Sequence, residues 1–131
     1  NNQPCIGTGR GELLQPVSFS LKGFALMVVN PGIAVSTAEA FKMLTRYSEP
    51  IDLEHVIQQP PGEWKNILVN DFEAPVFHVH PALYQIKETL YHSGALYASL
   101  SGTGSTLYGI FNKQISIPTF EAKGYFVKWL E

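Results

Sequence analysis

The sequence contains a single cysteine, Cys5. One thiol makes no internal bridge and builds no thiolate zinc site, so the expected compartment is a reducing one, with the cytoplasm as the default. Charge is also scarce. Lysine, arginine, aspartate and glutamate make up 15% of the chain, 9 basic residues against 11 acidic ones, and no run of them would neutralise several phosphates at once. Nucleic acid is therefore not an expected partner. Long apolar runs are missing too. Stretches such as Ala25 to Val29 fall far short of the ~20 residues a membrane helix needs, and no membrane association is expected. The first residues, Asn-Asn-Gln-Pro, carry neither a methionine nor the basic-then-apolar pattern of a secretory signal. Internal repeats, low-complexity tracts, a Gly-x-Ser-x-Gly elbow and a P-loop lysine are likewise missing. Asp52 and Asp71 are the only aspartates, and each reads better as a helix cap than as a catalytic base.

What is present is enough for one core. The chain has 131 residues, 45% of them hydrophobic, and a domain near this size buries roughly two thirds of the surface its unfolded chain exposes. One domain over residues 1–131 is expected. Gly7, Gly9 and Gly11 suggest a flexible lead-in through about residue 12. Gly23 to Val29 is apolar and ends at Asn30-Pro31-Gly32, the pattern of a central strand closed by a turn. Ser36 and Glu39 have the spacing of a capping box, which predicts a helix with Ala40, Leu44 and Tyr47 inward and a stop at Glu49-Pro50. Asp52 opens a second short helix through Ile57, and another is expected near Asn70 to Glu73. Pro81 at a first helical position, then Leu83, Ile86 and Leu90, predicts a helix reaching Gly94. Ala95 to Leu100 and Thr106 to Phe111 read as two strands joined through Ser101-Gly102-Thr103-Gly104-Ser105, and Gly124 to Leu130 as a last strand. This order predicts an α+β fold, an antiparallel sheet with helices on one face.

Chemistry is less specific. Gly7 to Gly11 and Ser101 to Ser105 could each present backbone N–H groups to a phosphate, but on spacing alone both read better as turn geometry. His78 and His80 would share one side of a strand, but no third ligand accompanies them, and no metal site is expected. Phe41, Tyr47 and Trp64 read as core residues, although an aromatic in a first helical turn after a sharp loop can stack on a ligand ring.

Taken together, four segments resemble one family. They are Gly9-Arg10-Gly11-Glu12, the run from Val29 to Phe41, Asn70-Asp71-Phe72-Glu73, and Gly94-Ala95 leading to Ser101-Gly102-Thr103-Gly104. Their order and spacing resemble the C-terminal half of bacterial 4-diphosphocytidyl-2-C-methyl-D-erythritol kinases, within the galactokinase, homoserine kinase, mevalonate kinase and phosphomevalonate kinase superfamily. The resemblance covers about residues 7–112. The Pro-Gly-x-x-x-Ser-Thr and Gly-Arg-Gly-Glu segments are specific to that branch, whereas Ser-Gly-Thr-Gly marks only the superfamily.

The resemblance implies a ferredoxin-like fold with a four-stranded antiparallel sheet. It further implies transfer of the ATP γ-phosphoryl group to the 2-hydroxyl of 4-diphosphocytidyl-2-C-methyl-D-erythritol in non-mevalonate isoprenoid biosynthesis. In the family, the ATP loop, the catalytic Asp and a neighbouring Lys lie in an N-terminal domain that nothing here matches. The chain is thus expected to be a C-terminal domain, inactive alone, with that N-terminal kinase domain and the diphosphocytidyl substrate as partners. ATP and Mg2+ are expected in the full-length enzyme only. Phe41 matches the aromatic that stacks on cytosine, and Thr37 with Ala38 matches the turn lining that pocket, where relatives often carry proline in place of Ala38. Ser101, Gly102, Thr103 and Gly104 match the motif that lies against the ATP phosphate loop. The tail after Asn112 departs most from the family. Two other readings stay open at this stage: a free-standing ferredoxin-like module binding a nucleotide or small metabolite, and a structural or interaction domain.

Overall fold

The computed structural model describes residues 3–8, 12–17, 19–113 and 125–130. In chain order these form β1 (Cys5–Thr8), β2 (Leu13–Pro16), β3 (Phe24–Asn30), α1 (Thr37–Met43), α2 (Leu53–Ile57), a 3-10 turn (Pro61–Glu63), α3 (Glu73–Val79), α4 (Pro81–His92), β4 (Tyr97–Leu100), β5 (Leu107–Asn112) and β6 (Phe126–Leu130). Strands β3 to β6 make one sheet in the order β4-β5-β3-β6, with every neighbouring pair antiparallel. A β-strand, a helical crossover, a hairpin and a last strand returning beside the first give the ferredoxin-like plait. Residues 114–124 of the link from β5 to β6, Ile115 to Thr119 among them, lie outside the described residues.

The alternation of β3 decides where the core lies. Ala25, Met27 and Val29 are fully buried while Phe24, Leu26 and Val28 are half-buried on the other face. The first set meets Val76 of α3, Leu83 and Leu90 of α4, and Leu107 and Phe111 of β5. Helix α4 reaches them because residues three and four apart share one helical stripe. The opposite face is also covered in part. Val56 of α2 and Trp64, just past the 3-10 turn, pack on Tyr97 and Ile110, and the Trp64 indole N–H donates to the Val56 carbonyl at 2.9 Å. The long helices lie on one face as expected, and the short elements shield the apolar side chains the sheet turns the other way.

Local signals and tertiary contacts disagree at several points. Ser36 caps α1 by accepting from the Glu39 N–H at 3.2 Å, yet the helix ends at Met43, well before Glu49-Pro50. Leu44 turns extended, and the chain beyond it is held by Asp71, which accepts from the Ser48 N–H at 3.0 Å and from its hydroxyl at 3.2 Å. A long-range anchor here overrides helix propensity, and it leaves Tyr47, expected inward, 75% exposed. It also gives Asp71 a role other than the expected cap, whereas Asp52 does cap α2 through the His55 N–H. The helix expected near residues 70–73 starts at Glu73 and runs on to Val79. Pro75 is tolerated there because N–H groups of a first helical turn have no partner within the helix. The lead-in carries a regular hairpin, Cys5 pairing with Pro16 through to Thr8 with Leu13, which its glycines did not foretell. Gly9, Arg10 and Gly11 lie outside the described residues.

Tyr97 is buried and donates its hydroxyl to the Leu68 carbonyl at 2.6 Å. Burial pushes its phenol far above the ordinary value of 10, and it raises Tyr108 as well. The fold thus prefers the protonated phenols, and their contribution is whole below about pH 10 and is lost as pH rises beyond the unfolded value. Melting temperature is expected to fall above that pH. Tyr97→Phe should start lower at neutral pH, by about 0.5–1.5 kcal/mol for the lost hydrogen bond, and then decline less steeply. Parallel pH–melting curves for the two proteins would refute this assignment.

Candidate functional site

The β3–α1 connection sets the site. Asn30 accepts from the Gly32 N–H at 2.8 Å through its carbonyl oxygen and donates through its amide to the Thr106 hydroxyl at 3.1 Å. This ties the turn to the start of β5 and brings the first turn of α1 beside the β4–β5 loop. There the hydroxyls of Thr37 and Thr103 lie 3.3 Å apart. Ala38 is exposed on the same turn. One turn further on, Phe41 is 59% exposed, and its ring meets that of Phe72 edge to face, with centroids 5.0 Å apart. A ring this exposed, braced by one other ring, is not a core residue, which corrects that reading for Phe41. Trp64, in contrast, is buried as expected.

The loop opposite is closed by backbone bonds, Ser101 N–H to the Thr106 carbonyl at 2.8 Å and Gly104 N–H to the Ser101 carbonyl at 3.0 Å. Both inner glycines have positive φ, 58° at Gly102 and 92° at Gly104, a region costly for residues with a side chain. Their surroundings differ. A Cβ on Gly102 would meet nothing within 4 Å, whereas one on Gly104 would lie 3.0 Å from Leu100 Cδ1.

Asn70 holds this loop from outside. Its amide donates to the carbonyls of Leu100 at 2.9 Å and Gly102 at 2.8 Å, while its carbonyl oxygen accepts from the Phe72 N–H at 3.0 Å. Three residues on, buried Glu73 accepts from the Leu100 N–H at 2.9 Å and pairs with Lys87 Nζ at 2.7 Å. Sequence reasoning ranked neither Asn70 nor Phe72 as a site residue. The segment Asn70-Asp71-Phe72-Glu73 carried part of the resemblance but no role came with it, and an asparagine just ahead of a helix reads as local turn chemistry, whereas its partners lie 30 and 32 positions away.

The structure thus brings Thr37, Ala38 and Phe41 to one side and Ser101 to Gly104 to the other. His78 and His80 are not on a strand: they sit in the last turn of α3 and at its C-cap. Among the described residues, no group of three His, Cys, Asp or Glu is placed to hold a metal ion. A cleft of about 470 Å³ between the end of α1 and α3, lined by Met43, Leu44, Arg46, Asp71 and His78, involves none of the expected site residues.

The sequence matches the family described as GHMP kinases C terminal over residues 53–120, just over half of the chain. The chain belongs to that family. A 4-diphosphocytidyl-2-C-methyl-D-erythritol kinase of Parabacteroides distasonis is 47% identical over 112 residues, 86% of this chain and 41% of the relative. Its namesake in Bacteroides fragilis is 38% identical over 125 residues, 95% of this chain and 46% of the relative. The chain therefore spans less than half the length of these curated relatives. A crystal structure of 4-(cytidine 5'-diphospho)-2C-methyl-D-erythritol kinase superposes with a TM-score of 0.66 at 22% identity, covering 78% of this chain and 38% of that one. Homoserine kinase from Cytophaga hutchinsonii gives 0.57 at 18% identity, covering 90% and 44%. Both share the fold of this GHMP kinase domain.

The two glycines should respond differently to alanine. Gly102→Ala is expected to cost about 1 kcal/mol, the conformational term alone. Gly104→Ala should cost more, because the new methyl must also displace the Leu100 side chain. Thermal melts of both variants check the order, and equal losses would contradict it.

Proposed function

We propose that the chain is the substrate-side, C-terminal domain of a kinase that transfers the ATP γ-phosphoryl group to the 2-hydroxyl of 4-diphosphocytidyl-2-C-methyl-D-erythritol, a step of non-mevalonate isoprenoid biosynthesis in the cytoplasm. The observation that carries the reading is the name borne by relatives that align along 86% to 95% of the chain. Phosphoryl transfer depends on positioning and on stabilising charge, and the groups on this chain suit the first task. Phe41 stacks on the cytosine ring, with Thr37 and Ala38 lining the same pocket. Ser101, Gly102, Thr103 and Gly104 lie against the ATP phosphate loop, where open space over Gly102 leaves room for close approach. The ATP loop, the catalytic Asp and the Lys beside it come from an N-terminal kinase domain, the principal partner. ATP and Mg2+ act in the full-length enzyme.

Two measurements test this. In the full-length protein carrying this chain, Phe41→Ala should raise KM for the diphosphocytidyl substrate, since base-aromatic stacking is worth roughly 1–3 kcal/mol. An unchanged KM would return Phe41 to a structural role. The 131-residue chain alone should show no metal-dependent ATP turnover or sugar-alcohol phosphorylation, and sustained turnover by the purified chain would overturn the division of labour.

A further inference from the structure

The two halves of the site are distant in sequence, yet one tetrapeptide touches both. Asn70 holds the glycine loop through the carbonyls of Leu100 and Gly102. Two residues on, Phe72 supports the Phe41 ring edge to face at 5.0 Å. Between them, Asp71 holds the chain that leaves α1 through Ser48. The halves are locked to each other inside the turn, because the Asn70 side chain that grips the loop also accepts from the Phe72 N–H. Glu73 completes the clamp at the Leu100 N–H, and the Glu73 N–H closes the turn on the Asn70 carbonyl at 2.9 Å.

We propose that Asn70 and Phe72 are positioning residues that register the ring-stacking wall against the phosphate-facing loop. This rests on the function proposed above and adds a division within it: Asn70 acts on the nucleotide triphosphate side and Phe72 on the cytidine side. A loop whose carbonyls are pinned presents its N–H groups and hydroxyls in one arrangement, and a ring held in a T-shaped pair has its plane fixed for stacking. Neither residue needs to touch a ligand. A structural role alone would make any loss uniform across both substrates.

The test uses the full-length protein carrying this chain, with Asn70→Asp and Phe72→Leu. The aspartate keeps the acceptor for the Phe72 N–H but turns an oxygen toward the loop carbonyls where the amide donated. Asn70→Ser serves the same purpose should the aspartate variant not fold. Either Asn70 variant is expected to lower kcat/KM for ATP by roughly tenfold, the scale of lost hydrogen bonds at a positioned group, with KM for the diphosphocytidyl substrate little changed. Phe72→Leu should raise that second KM roughly two- to tenfold, the equivalent of one edge-to-face pair, and spare KM for ATP. Calorimetric affinities for CDP and for a non-hydrolysable ATP analogue, measured beside melting curves, give the same split without turnover. Wild-type protein that binds both probes but phosphorylates nothing would defeat the kinase reading and leave the probe affinities to judge the turn. Losses shared equally by both probes, or affinities that follow only the folded fraction, would overturn the positioning roles. Failure of the wild type to bind either probe would overturn both proposals.

Discussion

The strand-free edge of β4 is the constraint on which the candidate site depends, and it is buried rather than open to solvent. Among the described residues β4 ends the sheet, with β5 on one side and no strand on the other. Backbone groups on such an edge need partners or water. The molecule answers with side chains: Glu73 takes the Leu100 N–H, Asn70 takes the Leu100 carbonyl, and Tyr91 reaches the Ala98 carbonyl at 3.4 Å. What ends the sheet therefore also fixes where the glycine loop begins.

This solution places a carboxylate in the interior. Burying a charge is costly unless it is paired and hydrogen-bonded, and Glu73 meets both conditions through Lys87 and the Leu100 N–H. The arrangement ties α4, the start of α3 and the edge strand together. Leu83 and Leu90 anchor α4 on the sheet, so the cation is delivered by a helix whose position hydrophobic burial has already settled. Polar clamp and apolar core support the same geometry.

Buried support and exposed surface are kept apart. Asn70, Phe72 and Glu73 are at least half-buried, whereas Thr37, Ala38, Phe41, Ser101 and Gly102 are exposed. Side chains that position are held by hydrogen bonds and ring contacts, and those that face outward sit on a capped helix start or a closed loop. Such a division lets the buried groups fix the arrangement of the exposed ones.

Periodicity and end signals in the sequence by themselves determined the framework. The Pro81 start and the Leu83, Ile86, Leu90 stripe specify α4, the apolar run to Asn30-Pro31-Gly32 specifies β3, and Ser36 and Asp52 mark where α1 and α2 begin. These are interactions among near neighbours or along one face, so residue order encodes them directly. The segment resemblance gave expected roles to the loop and to Thr37, Ala38 and Phe41, and it marked Asn70 to Glu73 without one. Only the tertiary structure decided that α1 stops at Met43, that Asp71 holds Ser48 instead of capping a helix, that Trp64 covers the second sheet face, and that Asn70 grips Gly102. Each of those outcomes turns on a partner distant in the chain, 23 positions for Asp71 and Ser48 and 32 for Asn70 and Gly102. No local pattern records such a partner, because the groups meet only after the sheet and helices have packed.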